Sequence, residues 1–102
     1  MIIYNTTFQV PEGLQNEFLT FLRDEYIPLA TKGDIMKEAR LTRIFGQDED
    51  EGYSFALEFK ADNLESLEKW NNSTGKKLYL LVLHKFKQSI LGFATLLQPI
   101  DL

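Results

Sequence analysis

Glu25 is the side chain whose placement would most directly create chemistry. On an uninterrupted helix it projects between Leu14 and Phe18, inside an apolar stripe that also holds Phe21 and Leu22. A carboxylate kept there would have a raised pKa and could act as an acid or a base. Pro28 argues the other way. It removes the bond to the carbonyl of Asp24 and disfavours helix at Ile27, so the helix is expected to end or kink around Glu25 to Ile27. Glu25 then swings into solvent, and this is the reading we favour. A second set shares the polar parity of the central strands: Asn5, Thr7, Ser54 and Glu58, with Arg40 or Arg43 arriving from the neighbouring strand. Together they could line a small ligand pocket, make water-mediated contacts, or form a solvated face. The run Asp48-Glu49-Asp50-Glu51 lacks the ligand spacing and distant glutamate of a helix-loop-helix calcium site and reads as a solvated hairpin tip. Gly46 and Gly52 read as turn residues, because no glycine-rich run joins a strand to a helix as a phosphate loop requires.

These residues need a scaffold to carry them. Ile2 to Val10 alternates, with Tyr4, Phe8 and Val10 against Asn5, Thr7 and Gln9, which predicts a half-buried strand. Pro11 suits the first turn of a helix, and Gly33 is a plausible final stop. Glu38 to Phe45 and Tyr53 to Lys60 read as two further strands. The second of these is the clearest in the chain, with Tyr53, Phe55, Leu57 and Phe59 on one side. The connection between them is too short for a helix, so they form an antiparallel hairpin. Asp62 or Asn63 caps a helix whose Leu64, Leu67 and Trp70 share a face, and Asn71 to Gly75 interrupts it. Helix resumes with Leu78, Leu81, Val82 and Phe86, and Ile90 to Leu97 is the last strand before Pro99. Strand, helix, hairpin, helix, strand is the ferredoxin-like β-α-β-β-α-β plan: an α+β fold with one four-stranded antiparallel sheet and both helices on one face. We expect a single domain over 1–102, with one core containing Phe18, Leu22, Leu67 and Phe86 together with Phe55, Leu57, Phe59 and Val82.

Composition narrows the partners. Of 102 residues 44% are apolar and 25% charged, an ordinary globular balance. The net charge of -4 lacks the basic face of a nucleic-acid binder, and the third strand's aromatics share parity with its core, so an RNA-reading sheet is set aside. There is no Cys, hence no disulfide, thiolate metal site or cysteine nucleophile. No apolar run reaches membrane-span length and the first residues do not resemble a signal peptide, so no membrane partner is expected and the cytoplasm is the expected location. In the last strand Leu91, Phe93 and Leu97 lie on one parity and Ala94 and Leu96 on the other. A strand apolar on both sides should be covered on both sides, yet one helical layer covers one. A second copy of the chain is the natural cover, and a homodimer is expected.

Met1-Ile2-Ile3-Tyr4-Asn5, Glu25-Tyr26-Ile27-Pro28 and Phe93-Ala94-Thr95-Leu96-Leu97 together resemble an uncharacterised bacterial domain-of-unknown-function family (4286) of the dimeric α/β-barrel, ferredoxin-like type. The resemblance covers essentially the whole chain and implies a fold and a dimer, without an activity. The wider group it points to includes cofactor-independent monooxygenases and haem-degrading enzymes, the latter using an Asn on the first strand with a Trp and a His on or after the second helix. Asn5, Trp70 and His84 occur here in that order. Trp70 and His84, however, stand fourteen positions apart, and His84 projects opposite the Leu78, Val82 and Phe86 stripe, among Lys77, Leu80 and Gln88. An exposed His84 and a packing Trp70 are the favoured readings, so neither haem nor any other cofactor is expected. Without a nucleophile pair, metal cluster or phosphate loop, an enzyme is the less favoured reading. Two functions remain: a dimer binding a small molecule on the sheet face between subunits, or a non-catalytic homodimer that serves an interaction.

Overall fold

Period-two alternation places β1 (Ile2–Val10) in the middle of the sheet, where it has neighbours on both sides. The structure, a computed structural model, describes residues 1–46 and 52–102. The expected acidic tip, Asp48 to Glu51, lies outside the described residues. β2 (Lys37–Ile44) and β3 (Tyr53–Ala61) form the hairpin, and β4 (Leu91–Leu97) returns to the free side of β1. The order is β2-β3-β1-β4 and every pairing is antiparallel. β2 begins one residue earlier than its alternation suggests. A register shift between Lys37 and Arg40, with Glu38 at a positive φ of 53°, absorbs the extra residue.

Two helical arms cover one side of this sheet. The first runs α1 (Gln15–Phe21), a π-helical turn over Leu22–Tyr26, then α2 (Ile27–Thr31). The second runs α3 (Leu64–Trp70), a π-helical turn over Asn71–Gly75, then α4 (Lys76–Phe86). Both expected interruptions of the α-helix are present, at Leu22–Tyr26 and Asn71–Gly75, but each is a π-helical widening after which helix continues and not an end. At the first turn the Ile27 N–H donates to the Leu22 carbonyl, five residues back. That wider loop lets Pro28 follow without the four-residue bond its missing N–H could never make. Asn63 is the cap of α3, its Oδ1 accepting the Ser66 N–H at 2.8 Å.

Even-numbered β1 residues and odd-numbered β3 residues face the helices. Phe8, Phe18 and Phe86 meet edge to face, with ring centroids 5.0 and 5.4 Å apart, and Phe21 joins Phe86 at 5.3 Å. Leu22, Phe55, Leu57, Phe59 and Leu67 complete the expected core, but Val82 is only partly buried. The Trp70 indole N–H donates to the Ala30 carbonyl at 2.9 Å and ties the two arms together. No described helix is long and apolar enough to cross a membrane.

Candidate ligand site between helix and sheet

The helical layer does not reach the β4 edge. Between α4 and the helix-facing side of β1 and β4 lies a cavity of about 710 Å³, within the usual size range of small-molecule sites. Its floor is the β1 row Tyr4, Thr6 and Phe8, continued onto β4 by Ala94 and Gly92. A Cβ at Gly92 would sit 3.1 Å from the Phe8 ring, so glycine there leaves the ring its place across the strand. The opposite wall is α4, through Tyr79, Val82 and Leu83. Both π-helical turns border the space: Tyr26 closes the first, and Asn71 and Gly75 begin and end the second. Such turns persist where a side chain must be re-aimed, often at functional sites. Gly75 is required by close approach, since a Cβ would lie 2.8 Å from Asn71 Oδ1 and 3.1 Å from the Trp70 ring. The far end is made by Lys87, Gln88 and Ile90, with Lys87 held at φ 58° and ψ -134°, a conformation side chains rarely adopt.

Three hydroxyls give the floor its chemistry. Burial pushes the Tyr26 phenol far above its ordinary value, the neighbouring Tyr4 adds to the rise, and the Thr6 hydroxyl offsets part of it. Tyr4 is raised by burial as well, again partly offset by Thr6. Both phenols therefore stay protonated across the physiological range and serve as neutral hydrogen-bond donors. Such a pair can hold a carbonyl or an oxyanion but cannot act as a base there.

The sequence candidates fall elsewhere. Asn5, Thr7, Ser54 and Glu58 share the other, open face of the sheet. Asn5 stands between Glu58 and Thr95, Thr7 between Ala56 and Phe93, and Ser54 beside Gln9 and Ile44. The register resolves the arginine: Arg40 opposes Glu58 on this face, whereas Arg43 points to the other side and stacks 4.4 Å from the Tyr53 ring centre. Asn5 Nδ2 donates to Thr7 Oγ1 at 3.2 Å, and its buried Oδ1 has no partner. Glu25 is exposed and pairs with Lys85 at 2.8 Å. The π-helical turn gives the inward position to Tyr26, so a phenol occupies the place where a buried carboxylate was conceivable. Asn5, Trp70 and His84 do not converge: Asn5 faces away from the helices, Trp70 is buried against Tyr4 with centroids 5.4 Å apart, and His84 is exposed outside the cavity. Among the described residues no group of three or more His, Cys, Asp or Glu could hold a metal.

Sequence reasoning missed Thr6, Tyr26, Tyr79 and the two lysines of the cavity. One signal was available: Thr6 is a lone hydroxyl on the apolar parity of β1. Another is that Tyr79 and Leu83 widen the apolar arc of α4 beyond the stripe a single core contact needs.

One antiparallel sheet with both helical arms on a single face defines a ferredoxin-like α+β domain. Solved structures of this type match along the whole chain. They include an ethyl tert-butyl ether D (EthD) family protein from Bacillus halodurans (TM-score 0.71, 20% identity, over 98% of this chain and 100% of that one). An antibiotic biosynthesis monooxygenase is similar at TM-score 0.67 and 15% identity, over 99% and 100% of the two chains. So is a MhuD mutant with two manganese protoporphyrin IX molecules bound per active site, at 0.66 and 14%, over 100% and 98%. At such identities the likeness is one of fold. No curated protein matches the sequence. The chain belongs to the family described as Domain of unknown function (DUF4286), whose profile matches residues 1–100.

Proposed function

We propose that this chain is a small-molecule-binding protein whose site is the cavity between α4 and the β1–β4 side of the sheet. The observation that carries the reading is the joint placement of both π-helical turns and the Tyr4, Thr6 and Tyr26 hydroxyls around one space of about 710 Å³. The working unit is a homodimer formed through the open face, where Leu91, Phe93 and Leu97 are 59%, 57% and 42% exposed. Soluble monomers rarely leave such a row uncovered. Asn5, Thr7, Ser54 and Glu58 then lie within or beside that interface. The neutral naphthylamine dye N-phenyl-1-naphthylamine tests the site by its fluorescence. Saturable binding, abolished by Ala94→Trp, supports it; Ala94 is exposed on the edge strand, so the larger side chain fills the cavity without disturbing the core. Binding unaffected by Ala94→Trp overturns it and leaves the non-catalytic homodimer as the better reading.

A further inference from the structure

We infer that the cavity takes an amphipathic anion: an apolar body with one acidic head, the head lying at the Asn71–Lys76 end. The inference rests on the cavity being a ligand site and adds the chemical class of its occupant. Acidic side chains outnumber basic ones 15 to 11 in the whole chain, yet the charged lining of the cavity among the described residues is Lys76 and Lys87, without a carboxylate. Neither ammonium meets a carboxylate among the described residues, a state they share with Lys32 and Lys77, whereas Lys37, Lys60, Lys69 and Lys85 are paired. Both lysines are exposed at the rim of the cavity, where an unpaired cation beside an apolar wall still gives an entering anion a favourable, water-screened partner.

The two lysines mark opposite ends. They lie eleven residues apart along and just past α4, roughly 16 Å at the helical rise. The polar groups gather at the Lys76 end: Tyr4 packs against Trp70, the residue before Asn71, and Tyr4 flanks Thr6 and Tyr26. Tyr4, Tyr26, Asn71 and Lys76 all line the cavity and supply two neutral phenolic donors, a side-chain amide and an ammonium, donor types suited to the oxygens of a carboxylate or sulfonate. Toward Lys87 the lining turns apolar, through Phe8, Val82 and Ile90, and suits a ring or acyl body. Lys87 stands at the outer mouth.

Two dyes of one skeleton separate charge from shape. 8-Anilinonaphthalene-1-sulfonate carries the anionic group that N-phenyl-1-naphthylamine lacks. Lys76→Gln should weaken the sulfonate dye about tenfold, the loss of one charge-assisted hydrogen bond, and leave the neutral dye within about twofold. Lys87→Gly should weaken the sulfonate dye less than about threefold and leave Tm unchanged or higher, since glycine adopts the positive φ freely. Ala94→Trp should remove both dyes. Sulfonate binding indifferent to Lys76→Gln overturns the anionic head, while loss of both dyes in Ala94→Trp keeps the cavity reading intact. A larger effect at Lys87 than at Lys76 overturns the assigned orientation. Retention of both dyes in Ala94→Trp overturns the cavity reading itself.

Discussion

The two faces of the sheet are built from the same strands and are stabilised in opposite ways. On the helix side, β1 and β3 send Phe8, Leu57 and Phe59 into an aromatic core that leaves a cavity beside β4. On the open side the same strands show Asn5, Thr7 and Glu58, and most of the apolar side chains come from β4. Alternation by two assigns each residue to its side, but what lies above each side is set by the helices, which are too few to cover both. The helix side therefore holds fold stability and the cavity, and the open side holds the surface available to a second copy.

The largest effect expected from breaking this division is on the helix side. Phe18 is fully buried and touches Phe8, Phe21 and Phe86. Phe18→Ala should cost about 3–5 kcal/mol in a denaturant titration, the usual loss for a large buried ring. A loss below about 1 kcal/mol would show that the helical layer contributes far less than its packing suggests. On the open side, Phe93→Asp should leave the fold of each chain intact and split the proposed dimer, because burying an unpaired carboxylate at the contact would cost several kcal/mol. Leu96 is a poor probe for this purpose: its partner in register is Tyr4, so it lies on the helix side. Sedimentation equilibrium at tens of micromolar is the measurement, and an unmodified chain that runs as a monomer would break the comparison.

Much of this architecture was legible in the chain, and the exceptions share a physical cause. Tyr53 to Phe59 announces its strand because every second side chain is aromatic or Leu, and a short polar connection leaves only a hairpin. The family too was legible from three short segments. The interruptions of the helical arms were legible but their π-helical form was not, because local rules compete there with packing. Pro28 and Asn71-Asn72-Ser73-Thr74-Gly75 are helix breakers by propensity, yet Phe18, Tyr26, Trp70 and Leu78 on either side are buried by the same sheet. A π-helical turn satisfies both demands, giving up one regular bond pattern to keep the flanking residues in the core. The cavity was hidden for a different reason. Tyr4, Tyr26, Asn71 and Lys76 come from β1 and the two helical arms, and no period along the chain brings them together.

A smaller effect probes the cavity floor through pH. Tyr4 and Tyr26 are raised above the unfolded phenol value of 10.0, so above it the unfolded chain has lost protons that the native chain still holds. The stability these neutral phenols retain is complete below pH 10.0 and falls as pH climbs through the window between unfolded and folded values. Thermal melts from pH 8 to 11 should show that decline, shallower in Tyr26→Phe. Equal slopes in the two proteins would mean that Tyr26 is not held away from solvent.

The smallest expected effect concerns Glu25, and it tests the π-helical turn that gives the two faces their division of labour. If that turn sets the register, Tyr26 is the inward residue and Glu25 is a surface partner of Lys85, which also lies 5.1 Å from the Phe21 ring. Their side chains are 48% and 36% exposed, so water screens the pair and solvates either charge when the other is removed. Glu25→Gln should therefore cost about 0.5 kcal/mol at low salt, and less at high salt as screening grows. Tyr26→Ala, at the next position, should cost several times more, since it empties a buried site shared with Phe8 and Phe21. The ratio of the two losses is the diagnostic. A large loss at Glu25 with a small one at Tyr26 would rotate the helix by one residue, put a carboxylate back on the cavity side, and restore acid–base chemistry to the site.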